Sequence, residues 1–201
     1  VLCTPHRDRL AASGIRFENH FATAAFCSPS RGGIVTGKVP HVNGLMGLVN
    51  LGWDMPRSSV TIGRHLQRAG YHTALIGLQH EAVDASRLGF DDLLCGGPHT
   101  SRAVVERTAD WLATEQPQGQ PFFLQLGFSD VHRAFPERSL RDAALDTIRP
   151  LPFLDDSLGL REDLWEFYGL VEEMDANMGR LMQCLDQNGL AENTLLVFTT
   201  D

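Results

Sequence analysis

What the sequence lacks narrows it first. It has no run of about 18 apolar residues, and its amino terminus carries no charged stretch leading into an apolar segment, so neither a membrane span nor a signal peptide is visible. Basic residues are outnumbered, with 17 Lys and Arg against 25 Asp and Glu and a net charge of −8. That balance argues against a nonspecific nucleic-acid binder, because phosphate backbones are held mainly by cationic side chains. An anionic ligand would need a local positive site. The four cysteines, Cys3, Cys27, Cys95 and Cys184, are scattered with no Cys-x-x-Cys pair, which speaks against a zinc centre or a dense disulfide framework. No internal repeat, low-complexity tract or linker divides the chain.

What is present is enough for a substantial core: 201 residues, 43% apolar and 21% charged. Apolar, β-prone runs at 71–77, 121–129 and 194–200 alternate with helical patterns at about 58–69, 101–116 and 161–188. The alternation predicts an α/β fold with a mostly parallel central sheet flanked by helices. In the longest helix, Leu164, Phe167, Tyr168, Val171, Met174, Met178, Leu181, Met182 and Leu185 form one stripe that reads as core packing, and Gly189 ends it. The stretch 134–157, with Pro136, Pro150 and Pro152, reads as an irregular surface excursion. Both ends, Val1-Leu2-Cys3 and Phe198-Thr199-Thr200-Asp201, read as cuts within a fold.

Ligands of open α/β sheets gather beyond the carboxyl ends of the strands. Three clusters fall there: Gly77-Leu78-Gln79-His80-Glu81, Ser129-Asp130-Val131-His132-Arg133, and Asp201. Elsewhere, Phe26-Cys27-Ser28-Pro29-Ser30-Arg31 runs into Gly32-Gly33-Ile34-Val35-Thr36-Gly37. Ser28 before Pro29 suggests an N-cap and first helical turn, placing Cys27 at a helix start where free N–H groups and Arg31 would face an anion. Gly32 and Gly33 favour close packing over helix propensity. On local chemistry alone Cys27 is either a buried cysteine beside a capped helix or a thiolate nucleophile.

The wider pattern separates these readings. Cys27-Ser28-Pro29-Ser30-Arg31, with Thr36-Gly37 following, resembles the sulfatase signature Cys-x-Pro-Ser-Arg followed by Thr-Gly. Thr4-Pro5-His6-Arg7-Asp8-Arg9-Leu10-Ala11 through Gly14-Ile15-Arg16-Phe17 resembles that family's lead-in. Met174-Asp175, Gly179-Arg180-Leu181, Gly189-Leu190 and the segment from Asn193 to Asp201 resemble its long helix and metal-bearing strand.

The resemblance implies an alkaline-phosphatase-like sulfatase fold, with residues 1–201 an internal portion of the large N-terminal catalytic domain, cut at both ends. It also implies that a separate formylglycine-generating enzyme oxidises Cys27 to formylglycine, whose aldehyde hydrate is the nucleophile. Arg31 would hold that hydrate. Asp201 and the modified Cys27 would bind a divalent cation, calcium in this family. His80 matches the histidine of a Lys-x-His element whose lysine position is here Leu78, which loses a cationic contact. His132 matches a histidine near the leaving group, a general acid, and Asp130 and Arg133 would shape the substrate pocket. The Asp-x-His-Arg pattern and the Gly-Leu-Gln-His-Glu loop lean toward the sulfamidase-like branch, and family members are often exported.

The implied substrate is a sulfated small molecule or glycan. Phosphonate or phosphate diester hydrolysis is the enzymatic alternative, and a degenerate, non-catalytic binder of sulfated glycans is the other. The family's Asp-Asp metal pair would precede Val1 and a further ligand would follow Asp201. These 201 residues alone are therefore expected to bind calcium weakly or not at all. Calorimetric titration checks this, and tight stoichiometric binding would overturn it.

Overall fold

Thr73-Ala74-Leu75-Ile76 is an unbroken run of β-branched and apolar side chains, the pattern of a strand covered on both faces. It lies in β1 (His72–Gly77), buried from Thr73 to Gly77. In the computed structural model, which describes residues 2–115, 119–135 and 144–201, β1 is the centre of a parallel sheet. Its neighbours are β2 (Asp92–Leu94) and β3 (Phe122–Gly127), in the order β2-β1-β3. The register pairs His72 with Phe122 and Gly77 with Gly127, so β1 and β3 end on the same rung. The Leu78 N–H then donates to the Gly127 carbonyl at 2.9 Å.

The chain divides into two compact units. One comprises Phe17–Pro98, Asp110–Gly127 and Asn193–Asp201, and holds the sheet with α2 (Cys27–Thr36), α3 (Pro40–Asn43) and α4 (Ile62–Arg68). Its core joins Val35, Leu45, Met55, Leu75, Ala82, Leu88 and Phe90. Thr61 starts α4: its Oγ1 accepts from the Arg64 N–H at 3.2 Å and donates to the Leu88 carbonyl. His72 and Trp111 stack with centroids 5.8 Å apart. Both rings reach Asp92 Oδ2, at 2.7 and 2.8 Å respectively, so the buried indole N–H is satisfied.

The other unit comprises Val1–Arg16, His99–Ala109 and Phe128–Glu192. It contains α1 (Pro5–Ser13) packed on α6 (Leu158–Gln187), and α5 (Ser101–Thr114) begins in it. Of the stripe on α6, Val171, Met174, Met178, Leu181 and Leu185 are buried, with Leu170 beside them, while Leu164, Phe167, Tyr168 and Met182 are half-buried. Thr4 gives α1 no side-chain cap. Asp175 of α6 replaces it, accepting from the His6 and Arg7 N–H groups at 3.0 and 2.9 Å and pairing with the Arg7 guanidinium at 3.2 Å. A carboxylate there satisfies orphan donors and favours the positive helix end.

The α/β fold with a parallel sheet stands, and the three expected helices are found at 62–68, 101–114 and 158–187. One expected element does not form. Residues 194–200 make no strand, because no neighbouring strand among the described residues takes their N–H and C=O groups. Leu195 and Val197 are exposed at 90% and 71%. β2 went unread since three residues are too short for a periodicity. Among its described residues, the excursion at 134–157 has one turn of 3-10 helix, Leu145–Thr147, beside the fully buried Ile148. Pro136 and the end of the 101–116 helix, at residue 116, lie outside the described residues.

Asp175→Ala strips the N-terminal donors of α1 of their acceptor and unpairs Arg7. The expected cost is about 2–4 kcal/mol, with Asp175→Asn losing less. Urea unfolding of the two variants checks the order.

Candidate active site

Helix α2 opens at Cys27 after the extended Phe26, and the Ser30 N–H closes its first turn on the Phe26 carbonyl at 3.2 Å. Ser28 is not the N-cap expected from the sequence. It sits inside the helix, fully buried, and its Oγ accepts from the Val49 N–H at 3.1 Å. The cap position is Phe26, which has no acceptor side chain, so the positive end of α2 carries no protein cap. Cys27 is half-buried and lies one turn from Arg31 on the same helix face.

The remainder of the motif anchors this turn. A methyl group on Gly32 would meet the Leu45 side chain at 3.0 Å, and one on Gly33 would lie 2.2 Å from Thr23 Oγ1. The expected close packing at both glycines is therefore present. At the far end, Gly37 takes φ +65° and donates its N–H to Gly33 O at 2.9 Å. Thr36 Oγ1 donates to Gly32 O at 2.5 Å, and Asn43 bridges Thr36 Oγ1, Lys38 O and the Leu45 N–H. The Thr-Gly pair is thus the seal on the helix terminus. Ser30 is 1% exposed, and its Oγ is the buried side-chain polar atom without a hydrogen-bond partner among the described residues.

Arg31 is held by oxygen acceptors from separate segments. Its Nε donates to Asp201 Oδ2 at 2.5 Å, and one terminal nitrogen donates to the Leu78 carbonyl at 3.2 Å. The same nitrogen lies 3.8 Å from Glu81 Oε1. At the expected lysine position the backbone carbonyl of Leu78, rather than its side chain, therefore meets Arg31. Gly127 permits this arrangement, because a methyl group there would stand 1.9 Å from that carbonyl oxygen.

His80 is half-buried in the loop after β1, and its N–H donates to Glu81 Oε2 at 2.6 Å. Glu81 is 1% exposed and also accepts from Gln125 Nε2 of β3 at 2.8 Å. Burial pushes the Glu81 carboxyl up from its ordinary pKa, against the opposing pull of the Arg31 charge and the hydrogen bonds. From the sequence Glu81 was named only as the last residue of the cluster after β1, without a role, and Gln125 was not singled out. A glutamine within Phe122-Phe123-Leu124-Gln125-Leu126 was the available signal, since a polar side chain in a half-buried strand needs a partner.

The acidic groups do not assemble a cation cage. Among the described residues no three His, Cys, Asp or Glu side chains converge as a metal site, and one Asp201 oxygen is taken by Arg31. The described donor set alone does not fit a divalent cation, which asks for six or more oxygen ligands when it is calcium.

The other expected residues belong to the second unit. Asp130 accepts from the Ser101 N–H and hydroxyl, both at 2.6 Å, and so caps α5. Asn177 of α6 donates to the same hydroxyl oxygen at 2.9 Å. Arg133 pairs with Asp163 and stacks 4.3 Å over the Phe135 ring. His132 is exposed, and its Nδ1 faces the Arg133 carbonyl. A carbonyl only accepts, so that contact places the proton on Nδ1 and leaves Nε2 as the outward-acting nitrogen.

The sequence model of the sulfatase family matches residues 2–201. The human N-sulphoglucosamine sulphohydrolase is 29% identical over 237 residues, covering all of this chain and 46% of that relative. A protein solved in complex with its substrate D-glucosamine-2-N,6-O-disulfate superposes with TM-score 0.71 at 20% identity, over 94% of this chain and 58% of that one. The phosphonate monoester hydrolase of Agrobacterium radiobacter superposes with TM-score 0.73 at 17% identity, over 96% and 56%. At these identities the superpositions speak for the fold, a sulfatase and alkaline-phosphatase-like one. The chain spans about half the length of the curated relatives it matches. With the signature at the head of α2 and the family match running along the chain, this protein belongs to the sulfatase family.

Proposed function

We propose that this chain carries the nucleophile-bearing part of a hydrolase that cleaves sulfate from an ester or N-sulfate, as an internal portion of a larger catalytic domain. One observation carries the reading: Cys27 and Arg31 share a face of the uncapped first turn of α2, with Arg31 fixed by Asp201 and Leu78 O. Conversion of Cys27 to formylglycine by a dedicated modifying enzyme would supply a hydrate oxygen to attack sulfur and a second hydroxyl to expel sulfate afterwards.

The chain's own residues have the remaining work. Arg31 and the α2 N-terminus neutralise charge on the sulfate oxygens as they are held for attack. His132, with Nδ1 committed to the Arg133 carbonyl, gives the leaving oxygen or nitrogen a proton from Nε2 when the ring is charged. His80 lies in the loop that also positions Arg31, and its assigned partner is the sulfate or the hydrate. Arg133, exposed beside Asp163, and Asp130, which supports the His132 loop through its cap on α5, are assigned to shape the substrate pocket. Asp201 is the carboxylate offered to a calcium ion, whose other ligands would come from outside the described residues.

A sulfated amino sugar is the favoured substrate class, on the likeness to the sulphoglucosamine relative and the disulfated glucosamine complex. The likeness to the phosphonate monoester hydrolase supports the alternative, because sulfate and phosphonate are similar tetrahedra. A non-catalytic binder gains support from Leu78 and loses it on the intact run from Cys27 to Arg31.

In protein from the native host, peptide 17–31 should be lighter by about 18 Da at Cys27 by mass spectrometry, and an unmodified thiol would favour the binder. Cys27→Ala should lower turnover of an aryl sulfate about 10³-fold or more. His132→Ala should lower kcat about 10²-fold or more, and the deficit should shrink as the leaving group becomes more acidic. Parallel assays on aryl sulfate and aryl phosphonate esters decide the reaction, and preference for the phosphonate sinks the sulfatase reading.

A further inference from the structure

We propose that Glu81 is a positioning residue for Arg31, its buried carboxyl fixing both the direction of the guanidinium and the start of the loop that carries His80. The inference rests on the role given to Arg31 above.

Its ground is geometric. Glu81 is 1% exposed, and its carboxyl oxygens have partners on β3, on its own loop and on Arg31. Oε1 takes the Gln125 amide at 2.8 Å and faces Arg31 at 3.8 Å, while Oε2 takes the His80 N–H at 2.6 Å. Gln125 is itself placed by the sheet, because it pairs in register with Leu75 on the central strand. The chain of support therefore runs from the sheet through an amide and a carboxyl to the guanidinium.

A carboxyl buried this completely is costly without partners. A loop needing only an anchor could be closed by an apolar side chain at lower cost. The expense is accounted for if Arg31 has to be held. An arginine gives up rotamer freedom when fixed, and Asp201 is the sole other carboxylate that pairs with it among the described residues. The Leu78 substitution raises the demand. With no lysine at that position, the loop brings no cation of its own beside Arg31, so the aim of one guanidinium matters more. The upward push of burial on the Glu81 carboxyl is partly offset by Arg31, in keeping with direct communication between the two.

The test compares Glu81→Gln, Glu81→Ala, Arg31→Ala and the double variant in the full protein with Cys27 converted, using an aryl sulfate. Glu81→Ala should lower kcat about 10- to 100-fold with KM changed less than about 3-fold. Glu81→Gln, which keeps the shape and one acceptor oxygen, should recover most of the loss. In the Arg31→Ala background, Glu81→Ala should cost less than about 2-fold more, the mark of residues acting as a unit. Equal losses in both backgrounds, or an unchanged kcat, overturn the proposal.

The Arg31 Nη–H signal in ¹⁵N–¹H spectra, from the nitrogen that faces Glu81, gives a second readout that needs no turnover and survives if the alanine variant fails to fold. A shifted or broadened signal in Glu81→Gln supports the contact, and an unchanged signal overturns it. If the native protein turns over no sulfate ester while that signal responds, the functional reading falls and the holding of Arg31 by Glu81 stands.

Discussion

The guanidinium of Arg31 is the point on which the sheet-bearing unit converges. A helix start, the loop leaving the central strand and Asp201 meet there through N–H···O contacts. A planar cation with five donors in a fixed fork can tie them because each donor has a direction. In a chain of net charge −8 the cation at this point is one fixed side chain beside a helix start, with the carboxylates of Asp201 and Glu81 set against it.

Much of this was legible in the sequence, for reasons that differ by element. The central strand was readable as an unbroken apolar run, and the helices because their burial follows a period. The head of α2 was readable because Pro29, Gly32, Gly33 and Gly37 each restrict the backbone or its neighbours. Glu81 was not readable, since a glutamate in a loop is ordinarily solvated and only the depth of this loop shows otherwise. The capping role of Asp130 was hidden similarly: its partner, Ser101, is 29 residues away. Ser28 misled because Ser-Pro is a good local start signal, and a buried demand from Val49 took its hydroxyl instead. The segment 194–200 has the composition of a strand, and composition does not provide a neighbour.

His132 and His80 are held in different ways. His132 has its tautomer set by a backbone carbonyl next to it in sequence, an arrangement that needs no distant partner. His80 depends on its loop, whose course is set by a buried carboxyl and a strand amide. One is steadied by a contact along the chain and the other by contacts across the sheet. Changes remote from the site would therefore be felt unequally at the two rings.

The shared last rung of β1 and β3 has a consequence for how this family member can vary. Gly77 pairs with Gly127, and the chain after Gly77 passes so close to Gly127 that no side chain fits between. A residue inserted into either strand alone would carry its glycine past its partner, turn the alternate side chains to the opposite face and withdraw the Leu78 oxygen from Arg31. The lengths of the two strands are therefore not independent. Drift in one is tolerated only with a matching change in the other.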